Sequence, residues 1–191
     1  MTKVNPVIAI DDLKKEWQKK YGEGNCRELI ADSKSVFVFD PRVDFNKMKI
    51  VVAARQKSIG HLVDAVLNNC WLGGDEELKK DERFKQGLED QLDEMIDIPE
   101  ALEEELANGN VKLTVGNVTI ELRKVTRMDL RYSEDRNPDN KPLMSQVYLL
   151  DRVAVNPDEL EAIRNNTVAY MAALLKVRDL KDKKYVEVKK F

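Results

Sequence analysis

Asn68-Asn69-Cys70-Trp71-Leu72-Gly73-Gly74-Asp75-Glu76-Glu77-Leu78 is the stretch on which the reading of this chain turns. Upstream of it, Ile59, Leu62, Val63, Val66, Leu67 and Cys70 recur at helical spacing and would form one apolar stripe. The paired glycines predict the end of that helix, because Gly73 or Gly74 can take the left-handed conformation that closes a helix C-terminus. Asp75 can then accept hydrogen bonds from the first amides of a second helix, where its charge also suits the dipole. On this reading Trp71 sits at a corner between two helices. Two roles are open to it, a core residue at the junction or an anchor for a partner, and packing is the commoner use of tryptophan.

The second helix is acidic and amphipathic, with Phe84, Leu88, Leu92, Met95 and Ile96 along one side. Pro99 reads as the first-turn residue of a short helix carrying Leu102 and Leu106, which Asn108-Gly109 stops. Towards the N-terminus, Asp11 or Asp12 can cap a helix with Leu13, Trp17 and Tyr21 on its apolar side, ended by Gly22 and Gly24. Ser35-Val36-Phe37-Val38-Phe39 and Met48-Lys49-Ile50-Val51-Val52-Ala53 are rich in β-branched and aromatic residues. With Asp40-Pro41 and the residues from Asp44 to Lys47 as turn, they predict an antiparallel pair.

From Asn110 the period becomes twofold. Val111, Leu113 and Val115 alternate with polar residues, Gly116-Asn117 suits a two-residue turn, and Val118, Ile120 and Leu122 resume the alternation. A polar loop spans 133–142 and a further strand Gln146–Val155. A long helix is expected from Asn156, with Pro157 in its first turn and an inner face of Leu160, Ile163, Thr167, Met171, Leu174 and Leu175. Tyr185–Phe191 alternates Val186 and Val188 with charges, as an edge strand or tail would. No internal repeat is visible. The fold class that follows is α+β in two lobes. Residues 1–109 hold a β-pair with helices, and 110–191 a β-hairpin and a long closing helix.

The chain's 191 residues can bury a core without metals or disulfides. No run approaches a membrane span, Met1–Ile10 lacks the apolar stretch of a signal peptide, and a cytoplasmic location is the expectation. Cys26 and Cys70, 44 positions apart, match no zinc or redox spacing and read as reduced packing residues. The net charge of −3 is segregated: residues 75–105 hold 14 acidic and 4 basic side chains, while both flanks are mildly basic. That pattern speaks against a dedicated nucleic-acid binder, whose footprint is a concentrated basic face.

Few residues promise chemistry. His61, the only histidine, lies in a helical pattern with no nucleophile motif beside it. Gly73-Gly74 has neither the Walker nor the dinucleotide spacing. Asp135-Arg136-Asn137-Pro138-Asp139 begins like a calcium loop, yet Asn140 stands where its glycine belongs and Gln146 where its glutamate belongs. Carboxylates such as Glu76, Glu77, Asp93 and Glu94 read as solvated helix charges. No catalytic residue, metal site or cofactor is therefore assigned.

Residues from about Lys34 to Leu106 resemble the small tail-assembly chaperone-like proteins of tailed phages and prophages. The resemblance rests on the β-pair around Val36–Phe39 and Ile50–Ala53, the helix running into Leu67-Asn68-Asn69-Cys70-Trp71-Leu72-Gly73-Gly74-Asp75, and Asp81-Glu82-Arg83-Phe84 opening the acidic helix. The turn Phe39-Asp40-Pro41-Arg42 and the 85 or so residues beyond Leu106 depart from the short family members. The resemblance implies a non-enzymatic accessory of virion morphogenesis that covers apolar helical segments of a tape-measure protein and can form homo-oligomers. Trp71, Leu72, Phe84, Leu88 and Leu92 are the partner-binding residues it suggests. A structural virion or nucleic-acid adaptor protein and a small-molecule enzyme built on scattered carboxylates are the alternatives.

Overall fold

The computed structural model describes residues 10–181, apart from the side chains of Asp93 and Glu94. The fold is α+β, with eight α-helices and two three-stranded antiparallel sheets among the described residues. The chain divides into two units, Met1–Asp97 and Ile98–Phe191. No described helix is long and apolar enough to cross a membrane. The alternating stretch Tyr185–Phe191 lies outside the described residues.

In the first unit α1 (Ile10–Tyr21) precedes a hairpin of β1 (Cys26–Ala31) and β2 (Lys34–Phe39). Asp11 and Asp12 fall in the first turn of α1. Its stripe half-buries on the sheet, with Trp17 5.3 Å from the ring of Phe37 and Tyr21 stacked on Phe39 at 4.4 Å. The hairpin turn is Asp32-Ser33, both at positive φ (47° and 65°), a left-handed pair whose twist matches that of the strands it joins. Helices α2 (Phe45–Arg55) and α3 (Ile59–Asn69) follow, then β3 (Trp71–Gly74) and α4 (Glu82–Met95).

Three expectations fail here. Met48–Ala53 is helical, inside α2: Asp44 caps it through the amides of Asn46 and Lys47, and Met48, Val51 and Val52 bury at helical spacing while Ile50 stays exposed. The strand partner of β2 is instead β1. Trp71–Gly74 is no corner between helices either. α3 ends at Asn69, the Cys70 carbonyl accepts from Phe39 N–H, and the chain runs back along β2 as the third strand, in the order β1-β2-β3. Gly74, at φ +113°, is required by close approach rather than by helix termination, since a Cβ there would lie 2.3 Å from the Ser35 carbonyl oxygen. Asp75 accepts from the amide of Ser35 and leads into a 3-10 turn, Glu76–Lys80; the acidic helix is capped by Asp81.

The second unit opens with β4 (Leu102–Glu105), β5 (Val111–Val115) and β6 (Val118–Leu122), in that spatial order. The hairpin read from the sequence is present, with Gly116 at φ +58°. The short helix expected after Pro99 is β4. Its glutamates favour helix, but the outer edge of β5 is covered by its ladder, and Glu103 and Glu105 pair with Lys176 and Lys124. Helices α5 (Arg127–Asp135), α6 (Met144–Val153), α7 (Pro157–Arg164) and α8 (Thr167–Lys176) complete the unit. Of the strand expected over Gln146–Val155, Gln146 to Val153 is instead helix, burying Leu149, Leu150 and Val153, and Ala154 bridges to Leu122. The single long helix is two, because Asn166 breaks the ladder and caps α8 through the amide of Ala169.

From the hairpin onward the two units share part of their order of elements, although the first opens on α1 and the second on β4. β2 begins at Lys34 and β6 at Val118, 84 residues apart, and the hairpin turns 32–33 and 116–117 keep the same interval. Each hairpin feeds two helices, and each second helix returns to the same strand: Phe39 N–H donates to Cys70 O at 2.9 Å, Arg123 N–H to Val153 O at 3.0 Å. Trp71 then pairs with Val38, and Ala154 with Leu122. A closing helix follows in each case, α4 from Glu82 and α8 from Thr167, 85 residues apart. The repeat is invisible in the sequence because positions 84 apart differ in kind, as Phe37 and Glu121, Phe39 and Arg123, and Phe45 and Asp129 show.

Candidate protein-binding surface

The five residues singled out in the sequence separate onto three places in the first unit. Trp71 and Leu72 lie on β3, an edge of the sheet, and both are half-buried. Phe37 pairs with Gly73 and Val38 with Trp71, which leaves Leu72 as the extra residue of a bulge. Bulges re-aim side chains and recur beside functional sites. Trp71 keeps a cation over its ring, the Lys79 Nζ at 3.8 Å from the centroid. Gly73 makes room on the sheet for Trp17, whose ring carbons come within 3.2–3.3 Å of where a Cβ would stand.

Leu92 is 1% exposed and belongs to the core, where α4 packs on α3. Phe84 and Leu88 are also mostly buried, but both reach a groove between α4 and β1. That groove has a volume of about 410 Å³ and is lined by Leu29, Ala31, Arg83, Phe84, Gly87 and Leu88 among others. Ile30, which also lines it, is 68% exposed, and a Cβ at Gly87 would meet nothing within 4 Å. The sequence could not reveal the groove because β1, an irregular run of charged and apolar residues, carries no strand pattern.

A buried polar cluster that no sequence motif signals lies in the second unit. Asp129, 2% exposed, accepts from Arg123 Nη1 and Nη2 at 2.6 and 2.8 Å, from Arg152 Nε at 2.6 Å, and from the hydroxyl and amide of Thr126. The Arg123 guanidinium, first among these donors, holds the carboxyl far below the usual carboxylate range despite burial. Each partner also does structural work: Thr126 and Asp129 form a capping box for α5. Arg152 stacks over Tyr132, whose ring Arg136 also faces. The cluster is a clamp between β6, α5 and α6.

Other candidates resolve locally. His61 is exposed, and its Nδ1 lies 2.7 Å from the hydroxyl of Ser58, the N-cap of α3. In the calcium-like loop, Asn137 is 7% exposed and spends its amide on Lys141 O and Ser145 Oγ and its oxygen on Lys141 N–H, while Asp139 pairs with Lys141. Glu77 pairs with Lys34. Among the described residues no group of three or more His, Cys, Asp or Glu is placed to hold a metal ion. Cys70 is buried and its thiol is pushed up to about 12 by desolvation; Cys26 is half-buried and raised for the same reason.

Comparison of the chain with protein-family models, with curated proteins and with solved structures finds no match.

Proposed function

We propose that this chain is a non-enzymatic assembly accessory of a tailed phage or prophage that binds an apolar helical segment of a long tape-measure-type protein. The observation that carries the reading is the Trp71-Leu72 pair, half-exposed at a bulge on an edge strand. A tryptophan with a rigid apolar body at the rim of a sheet is the kind of side chain that anchors interfaces. The resemblance to tail-assembly chaperone-like proteins supports it through the order of strand Lys34–Phe39, helix Ile59–Asn69, the Trp-Leu-Gly-Gly-Asp string and the acidic helix, without the strand expected at Ile50–Ala53, which is helical. Phe84 and Leu88, which reach the groove beside β1, are the further contact residues of this reading, while Leu92 lies in the core.

The test is co-expression with the long helical tail protein encoded at the chain's own locus, followed by co-purification. The wild-type chain should retain that protein, and Trp71→Ala should lose it while keeping its helical circular dichroism. A surface control, Glu89→Lys, should behave as wild type. A folded wild-type preparation that retains no tail component would overturn the reading.

A further inference from the structure

We propose that the pocket of Tyr132, Arg136, Tyr148, Asp151 and Arg152, in the second unit, binds a phosphate monoester group. The pocket lies where the C-terminal turn of α5 meets α6 and has a volume of about 230 Å³. Pockets that enclose a whole drug-sized ligand run to about 300–1,000 Å³. This one therefore suits a single headgroup whose carrier stays outside.

The state of the arginines points to an anion. Arg123 spends both ends of its fork on Asp129, Nη1 at 2.6 Å and Nη2 at 2.8 Å, which makes it a structural partner. Arg152 meets the same carboxylate through Nε, at 2.6 Å, and lays its guanidinium over the Tyr132 ring, 4.2 Å from the centroid. Its plane is thus held by a buried acid and a ring, while no described residue takes its two Nη groups. Arg136 donates from Nη1 to the Tyr132 hydroxyl and sits over two rings, 5.4 Å from the Tyr132 centroid and 5.3 Å from that of Tyr148. Among the described residues no carboxylate pairs with it.

These charges do not balance. Two guanidiniums within 5.4 Å of one ring centroid repel each other. Asp129 is shared between Arg123 and Arg152, and Asp151, the acid of the pocket, is taken by Arg164. Four guanidiniums therefore meet two carboxylates, a surplus of two positive charges. A phosphate monoester carries about −1.5 to −2 near neutral pH and matches that surplus, whereas a carboxylate or a phosphodiester offers a single charge. Arginine forks take phosphate oxygens through paired N–H donors, and a fork already held in its plane loses less freedom in doing so.

The test is calorimetric titration of the full-length chain near neutral pH in a chloride buffer. Inorganic phosphate should bind at one saturable site, and dimethyl phosphate, a singly charged diester, about tenfold more weakly or worse. Arg136→Gln, which breaks no carboxylate pair, should weaken phosphate binding by about tenfold or more, and Arg152→Lys, which keeps the charge but loses the fork, should act in the same direction. Arg131→Gln, at an exposed arginine of α5 outside the pocket, should bind as the wild type does. Adenosine monophosphate and a phosphoserine peptide serve as further probes. Whichever binds more tightly than inorganic phosphate identifies the carrier as a small molecule or a protein, and equal affinities mean that the site reads the phosphate group alone. Absence of saturable binding, a diester that binds as well as the monoester, or equal losses in Arg131→Gln and Arg136→Gln would overturn the proposal. So would an Arg136→Gln protein that melts earlier yet binds phosphate normally, since the stacked arginine would then be only a brace between helices.

Discussion

Replacing Gly74 with alanine should damage the first unit far more than the same change one residue earlier. At Gly74 the backbone is at φ +113°, where a side chain costs about 1–3 kcal/mol. The added Cβ would lie 2.3 Å from the Ser35 carbonyl oxygen and 2.7 Å from the Val36 Cα. Both are backbone atoms of β2, so relief requires β3 to move off its partner, an overpacking cost of about 1–3 kcal/mol more. The total, about 2–6 kcal/mol, is a large share of the ~5–15 kcal/mol that stabilises an ordinary domain. At Gly73 the crowding atoms are Trp17 ring carbons at 3.2–3.3 Å on a half-buried helix that can shift, so about 1 kcal/mol is expected. Both tryptophans, Trp17 and Trp71, lie in the first unit, which makes intrinsic fluorescence in urea a selective report on it. With a slope of roughly 1–3 kcal/mol per molar, the Gly74→Ala midpoint should fall by about 0.7–6 M and the Gly73→Ala midpoint by about 0.3–1 M. Equal midpoints for the two variants would refute the close-approach argument.

In the second unit Asp129→Asn should cost about 2–4 kcal/mol, below the usual ~3–5 for breaking a buried pair because Arg123 and Arg152 can turn to water. The folded carboxyl is depressed, so its contribution is complete above the ordinary aspartate value of about 3.9 and is lost as pH falls below it. Urea titrations of the wild type should therefore show stability dropping below about pH 4, with a flatter profile in Asp129→Asn; parallel profiles would contradict the assignment. At pH 8 an alkylating reagent should modify Cys26 well before Cys70, whose thiol is buried and raised to about 12, and mass spectrometry of the partly labelled protein would show the reverse order if Cys70 were accessible.

The elements that the sequence made legible are those where one local signal dominates. Val111–Leu122 alternates cleanly around Gly116-Asn117, and the apolar stripe of α4 recurs at helical spacing, although its cap is Asp81 and not the expected Asp75. Misreadings arose where propensity and tertiary context disagree. Val51-Val52 are β-branched yet helical, because Asp44 caps α2 and burial follows Met48, Val51 and Val52. Leu-Glu-Glu-Glu at 102–105 is a strand because β5 offers an edge. Gln146–Val155 contains hydrophobic pairs whose period, read over so few residues, fits strand as well as helix. The surface shows the same division. Trp71 stood out by type, and Phe84, Leu88 and Leu92 by spacing, but the groove on β1 depended on a strand whose alternation is blurred by Arg27, Glu28 and the exposed Ile30. Gly74 does take a positive φ, but close approach to β2 requires it rather than the end of a helix.

The claim that a tape-measure-type protein binds at the bulged edge strand can be tested through Trp71 itself. In a Trp17→Phe variant the remaining indole reports from β3 alone. Titrating an apolar helical segment of the long tail protein from the chain's own locus should shift its emission to the blue and saturate, as a half-exposed ring becomes buried. Emission that stays constant while an independent measurement shows the segment bound would contradict the placement of the site, and absence of binding to the folded chain would contradict the function.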